Sequence, residues 1–124
     1  ALAAAPAIRV TDVTARSHPG GWPYLYDATV TGVDTGAKTL AVNVYDGNLN
    51  GLRSMLGAPV AETFIYADST VFVKGSPRGP VLITAGALHA GDKVAIRTWA
   101  ARWTPVATIA ASPVSHVRLL KAAP

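Results

Sequence analysis

The segment Gly86-Ala-Leu-His-Ala-Gly-Asp-Lys-Val-Ala-Ile-Arg-Thr-Trp99 constrains the fold more than any other part of the chain. A short apolar turn leads into Gly91-Asp92. From there Val94, Ile96 and Thr98 fall on one side of an extended chain, and Lys93, Ala95, Arg97 and Trp99 on the other. Successive strand residues point to opposite faces, so this pattern describes a strand over residues 93–101 with an apolar inner face and a polar outer one. A sheet of such strands must bury its apolar face, which points to a small β-barrel or sandwich.

The rest of the chain supplies further strands. Residues 8–13 read as a first one, with Ile8 and Val10 on one face, followed by an expected loop over residues 17–23 that carries Trp22 and two prolines. Tyr24 and Tyr26 come next. Residues 28–33 and 39–45 read as a hairpin around Asp34-Thr-Gly-Ala37, with Gly36 available for positive φ and Leu40, Val42 and Val44 facing inward. Leu49, Leu52, Met55 and Leu56 fall at helical spacing, ahead of Gly57 as a C-terminal cap and Pro59 as a stop. Residues 62–66 and 70–74 read as a second hairpin around 67–69, then an exposed loop spans 75–80 and a short strand or turn 81–84. Residues 106–111 are expected to be the hairpin partner of 93–101, and 115–120 the closing strand. The expectation is an all-β, mainly antiparallel fold: a small OB-like barrel with one short inserted helix near residues 49–56. Residues 1–7 would be a leader, 8–121 one domain and 122–124 a tail.

The ordered set Ala28-Thr-Val-Thr-Gly-Val-Asp34, Thr39-Leu-Ala-Val42, Asp68-Ser-Thr-Val-Phe-Val73 and Leu88-His-Ala-Gly-Asp-Lys-Val94 resembles a family of small exported bacterial β-barrel domains of unknown function. In that family a gly-x-val-x-x-val-asp strand precedes a thr-leu-x-val strand, an asp-x-x-thr-x-val segment and a leu-x-x-gly-asp-x-val strand. The resemblance covers roughly half the chain and implies an exported OB-like barrel, with no activity attached. The helical segment 49–57, the Trp22 loop and residues 101–105 depart from the pattern.

At 124 residues the chain is long enough for one core. Ala1-Leu-Ala-Ala-Ala-Pro6 reads like the small-residue region near a signal-peptidase site, which implies an extracytoplasmic location: secreted, periplasmic or cell-surface. No apolar run approaches the ~18 residues of a membrane span, so no integral membrane segment is expected. The net charge of +4 favours anionic partners, yet the eleven Lys and Arg are scattered. There is no Cys for disulfides or thiolate ligands.

No stretch spells a reaction. His18, His89 and His116 are isolated in the sequence, with His89 and Asp92 close enough to share a hydrogen bond across a turn. No His-x-His pair, zinc-protease helix, nucleophile elbow or phosphate loop is present, and the aspartates fall mostly at turns, where they cap backbone amides. No catalytic residue, metal ligand or cofactor is therefore assigned. A small hydrolase would need one of the histidines to meet a carboxylate in a cleft. The aromatics are more informative. Arg97, Trp99, Arg102 and Trp103, with Trp22 and Tyr24, are the candidate ligand-binding residues, because exposed Trp and Arg anchor binding surfaces and stack on flat rings. The competing account is a satellite core, with Trp99 and Trp103 packed under the Trp22 loop. The expected function is a non-enzymatic binding or assembly module, its partner a protein or an anionic polymer. One alternative is a single-stranded nucleic-acid or anionic-polymer binder acting through the Arg/Trp face. Another is a structural subunit that self-associates by N-terminal strand addition.

Overall fold

Alternation in the most informative segment holds residue by residue. In the computed structural model, which describes residues 21–124, Val94, Ile96 and Thr98 are buried while Lys93 and Arg97 are exposed. The elements in chain order are β1 (Trp22–Asp34), β2 (Thr39–Gly47), α1 (Leu49–Ser54), β3 (Val60–Ile65), β4 (Val71–Lys74), β5 (Val81–Leu82), a 3-10 turn (Ala85–Ala87), β6 (Lys93–Ala100), α2 (Val106–Ala110) and β7 (His116–Lys121). They form one mixed sheet of seven strands in the order β3-β2-β1-β6-β7-β4-β5. All pairings are antiparallel except that of β4 with β7, which is parallel.

The connection between β3 and β4 bends this sheet. Four strands lie between them in the sheet. At about 4.8 Å per strand they would stand about 24 Å apart in a flat sheet, beyond the reach of roughly 21 Å for six extended residue steps. The sheet must curl, and the packing shows it. The backbone amide of Val114, just ahead of β7, donates to the Ile65 carbonyl at the end of β3 (2.9 Å). Thr70, itself buried, donates its hydroxyl to the Val114 carbonyl (2.6 Å). Among the described residues the ladder nevertheless ends at β3 on one side and β5 on the other, and does not close.

The concave side holds the core. Tyr24, Tyr26, Ala28 and Val30 of β1, Leu40, Val42 and Val44 of β2, Phe64 of β3, Phe72 of β4, Val94 and Ile96 of β6 and Val117 of β7 form one buried cluster. Two register shifts bend the β1–β2 ribbon, between Asp27 and Ala28 and between Val30 and Gly32. The Gly91-Asp92 turn ties three parts of the chain together. The Gly91 amide donates to Val30 O and the Val30 amide to Asp92 O, each at 2.8 Å. The buried Asp92 carboxylate accepts from the amides of His89 (2.8 Å) and Ala123 (2.7 Å). Gly91 sits at φ +93°, and a Cβ there would press on the Ala123 methyl.

Several expectations are corrected. Residues 106–111 are not a strand beside β6. They form α2, with Val106, Ile109 and Ala110 buried at i, i+3 and i+4, and β6 pairs with β1 on one side and β7 on the other. Residues 62–66 and 70–74 do not pair as a hairpin: β3 pairs with β2 and β4 with β7. Trp22 and Pro23, expected in a loop, begin β1 instead, with Pro23 inside the strand opposite Trp99; residues 17–20 of that loop lie outside the described residues. In the first hairpin the positive φ falls on Lys38 (56°), while the Asp34 carboxylate holds the turn by accepting from the Ala37 amide (2.9 Å). The proposed strand over residues 8–13, the leader and His18 lie outside the described residues.

Two tests follow from this packing. Val94 is fully buried in the central strand pair, so Val94→Asp should abolish the cooperative melt, an unpaired buried carboxylate costing several kcal/mol, of the order of the whole stability. Asp27 faces Asp46 across β1 and β2, and partial burial, then the Asp46 charge, raise its carboxyl above the usual range. The folded state therefore holds this proton more tightly than the unfolded chain, and stability falls as pH rises from the ordinary aspartate pKa through the raised one. Asp27→Asn should melt higher than wild type at neutral pH, with the gap closing in acid. A gap that persists unchanged in acid would dissociate it from this titration.

Candidate functional site

β1 runs past β2 at one end of the sheet, and the consequence is a cleft. The first β1 residue paired with β2 is Tyr26, opposite Gly47. Pro23 and Leu25 still point backbone groups toward the side that β2 has left, and a proline is tolerated there because no neighbouring strand asks for its missing N–H. Asn48 fills the gap. Its amide donates to Leu25 O (3.1 Å), its side-chain oxygen accepts from the Leu25 amide (3.2 Å), and its side-chain nitrogen donates to Pro23 O (3.1 Å). Asn50 donates to the same Pro23 carbonyl (2.8 Å). The Asn48 side-chain oxygen also accepts from the Gly51 amide (2.8 Å) as the N-cap of α1. A Cβ on Gly51 would collide with the Leu25 carbonyl oxygen, so α1 can lie this close only with glycine at that position.

The opposite wall is the 101–105 loop, which follows β6. Tyr24, 2% exposed, donates its hydroxyl to Ala101 O (2.6 Å). Thr104 donates its own hydroxyl to the same carbonyl (2.6 Å) and its amide to the Tyr24 hydroxyl oxygen (3.4 Å). The loop turns at Trp103, which adopts φ 65°.

Between α1 and this loop lies a cleft of about 370 Å³, lined by Tyr24, Asn50, Arg53, Ser54, Leu56, Arg102, Trp103, Thr104 and Pro105. None of these is acidic and two are arginines. The Arg53 guanidinium stands 5.0 Å from the Trp103 ring centre, and that of Arg102 stands 4.2 Å from the Trp22 ring centre, within cation–π range. Ser54 donates to Gly51 O (2.6 Å), so the Tyr26 hydroxyl donates to the Ser54 oxygen (2.6 Å). Burial pushes the Tyr26 phenol up to about 12, against the opposing pull of the Ser54 hydrogen bond. Tyr26 thus stays protonated and cannot take the Ser54 proton, so this hydroxyl pair supplies no activated nucleophile.

The structure divides the residues singled out from sequence. Trp103 and Arg102 line the cleft, and Trp22 (41% exposed) stands at its rim through Arg102. Tyr24 reaches the cleft floor but is a core residue. Arg97 and Trp99 face the outer side of the sheet, opposite Leu25 and Pro23, with Arg97 exposed and Trp99 half-buried. Arg97 and Trp99 therefore do not line the cleft with Arg102 and Trp103, because the chain leaves the strand at Ala100 and turns at Trp103. His89 and His116 are exposed. The hydrogen bond expected between His89 and Asp92 runs from the His89 backbone amide rather than its ring. Among the described residues no group of three or more His, Cys, Asp or Glu is placed to hold a metal ion.

Arg53, Leu56 and Asn50 were not foreseen. The helical reading placed Leu56 on an apolar stripe with Gly57 as the cap. Instead α1 ends at Ser54, and Leu56 occupies the left-handed position itself (φ 57°), with its amide donating to Arg53 O (3.1 Å) and that of Gly57 to Leu52 O (2.8 Å). That is a Schellman turn with leucine where glycine is usual. Its side chain is 93% exposed. Leu56→Gly should therefore stabilise the fold by roughly 0.5–1 kcal/mol, raising Tm by a few degrees, since left-handed backbone is unfavourable for L-residues and the leucine packs on almost nothing. A lower Tm would show that the leucine side chain supports the fold.

Compared with models of protein families, with curated proteins and with solved structures, the chain matches none.

Proposed function

We propose that this chain is a non-enzymatic binding module whose ligand surface is the cleft between α1 and the 101–105 loop, and that its ligand is anionic. The observation that carries this reading is the pairing of two exposed tryptophans with two arginines around a cleft whose lining contains no carboxylate. Trp103 is 69% exposed and sits at positive φ in the 101–105 loop. Guanidinium planes recognise phosphate and carboxylate groups, and an adjacent ring adds a stacking platform. A single-stranded nucleic acid or another anionic polymer fits that chemistry. An OB-like barrel is the architecture we propose for the curled sheet, supported by the β1–β2–β3 meander and the parallel β4–β7 pair. The outer-face residues Arg97 and Trp99 belong to the support of β1 in this reading, not to the ligand surface.

Binding of a fluorescent oligo-dT and of inorganic polyphosphate, measured across a salt series, tests it. Trp103→Ala should leave the melting transition within about 0.5 kcal/mol of wild type and weaken oligonucleotide binding by about 1–3 kcal/mol. The double variant Arg53→Gln/Arg102→Gln should weaken both probes and flatten the dependence of log affinity on log salt, by about one unit for each phosphate that is no longer neutralised. A large loss of stability in Trp103→Ala, or affinity for both probes that ignores the arginines, would refute the assignment.

A further inference from the structure

The two most exposed large apolar side chains in this part of the molecule are held out by strained backbone. Leu56 is 93% exposed and Trp103 69% exposed, and both are non-glycine residues in the left-handed region, at φ 57° and 65°. An apolar side chain in water gives folding almost nothing, and positive φ costs an L-residue free energy. Two such residues on opposite walls of one cleft are a cost to the free protein that a partner can offset. Leu49, 61% exposed, lies one helical turn before Arg53 on α1, and Trp22 adds a ring at the rim under Arg102. The patch is therefore Leu49, Leu56, Trp103 and Trp22, interleaved with Arg53 and Arg102.

Building on the cleft as the ligand site, we propose that its rim docks the protein onto an anionic lipid bilayer. Leu49, Leu56 and Trp103 enter the boundary between headgroups and acyl chains, and Arg53 and Arg102 hold lipid phosphates. The aliphatic residues decide between a bilayer and a soluble polyanion. A leucine has neither a ring to stack on a base nor a polar atom to bond a phosphate, whereas apolar area taken out of water is what interfacial docking uses. Tryptophan and arginine complete the pattern: Trp sits at headgroup level, and Arg keeps its charge among the phosphates while its stem lies in apolar surroundings. Among the described residues no helix is long and apolar enough to span a membrane.

Co-sedimentation of the full chain with phosphatidylcholine vesicles, with and without phosphatidylglycerol, tests the proposal, with tryptophan fluorescence recorded on the same samples. Binding should require phosphatidylglycerol and shift tryptophan emission to the blue. Arg53→Gln/Arg102→Gln should lower the partition coefficient roughly 25-fold, at about fivefold for each charge near an anionic surface. Leu56→Gly fits the left-handed turn and so keeps the fold. It should melt higher than wild type yet partition several-fold less, and a similar loss is expected for Leu49→Ser. No binding to phosphatidylglycerol vesicles, or binding that Leu56→Gly leaves intact, overturns the proposal. Oligo-dT binding without vesicle binding would overturn the bilayer alone and leave the anionic cleft standing, while binding to neither would remove both.

Discussion

The architecture around the cleft depends on how the first residues of β1 satisfy their backbone after β2 has ended. Buried or half-buried carbonyls and amides that lose a ladder partner carry a penalty of about 1–3 kcal/mol each. Pro23 O, Leu25 N and Leu25 O avoid it by bonding to Asn48 and Asn50 rather than to another strand. One asparagine thereby continues the sheet edge and starts a helix, since its side-chain oxygen also caps Gly51. The direction of α1 follows from that arrangement, and with it the positions of Arg53, Ser54 and Leu56 along one wall. The opposite wall hangs on the same strand, through the Tyr24 hydroxyl and the Ala101 carbonyl.

A second set of bonds does comparable work at the Gly91-Asp92 turn. Here a buried carboxylate is satisfied by backbone amides, one local and one from the C-terminal residues, while the turn backbone bonds to Val30. Three stretches distant in sequence are thus joined through backbone hydrogen bonds, in a chain that has no cysteine for a disulfide. The ion pair between Lys38 and Asp68 is largely exposed and contributes little. Fold and electrostatics are in this sense separable. Backbone bonds and apolar burial hold the sheet, leaving Arg53 and Arg102 at the cleft with aromatic rings as neighbours.

The cleft also carries a tension between stability and use. Leu56 sits where glycine would be the stable choice, and Trp103 turns its loop with a φ that a bulky residue seldom adopts. Natural sequences that depart from local preference usually do so where function asks for it. Both departures here fall on one cleft, and both present apolar surface to solvent.

Period-two alternation was enough to predict β6, the first hairpin and the inward set Leu40, Val42, Val44, Val94 and Ile96, because one register leaves only one way to bury those side chains. The turn aspartates and the short helix after Asn48 were legible for a similar reason: their chemistry is local. Residues 106–111 misled, since an apolar pair flanking small residues suits either period, and only packing against β3 and the core favours the helix. Strand partners were equally hidden. Nothing between residues 62 and 74 announces that neighbouring strands will pair with β2 and β7 instead of each other, a choice made by long-range partners from outside the segment. The site shows the same division. Composition and alternation picked out Trp22, Arg102 and Trp103, but Arg53 and Leu56 joined them only when backbone hydrogen bonding laid α1 across the end of β1. Local sequence determined which side chains face in and which face out. Long-range closure of backbone hydrogen bonds decided which of the outward ones meet.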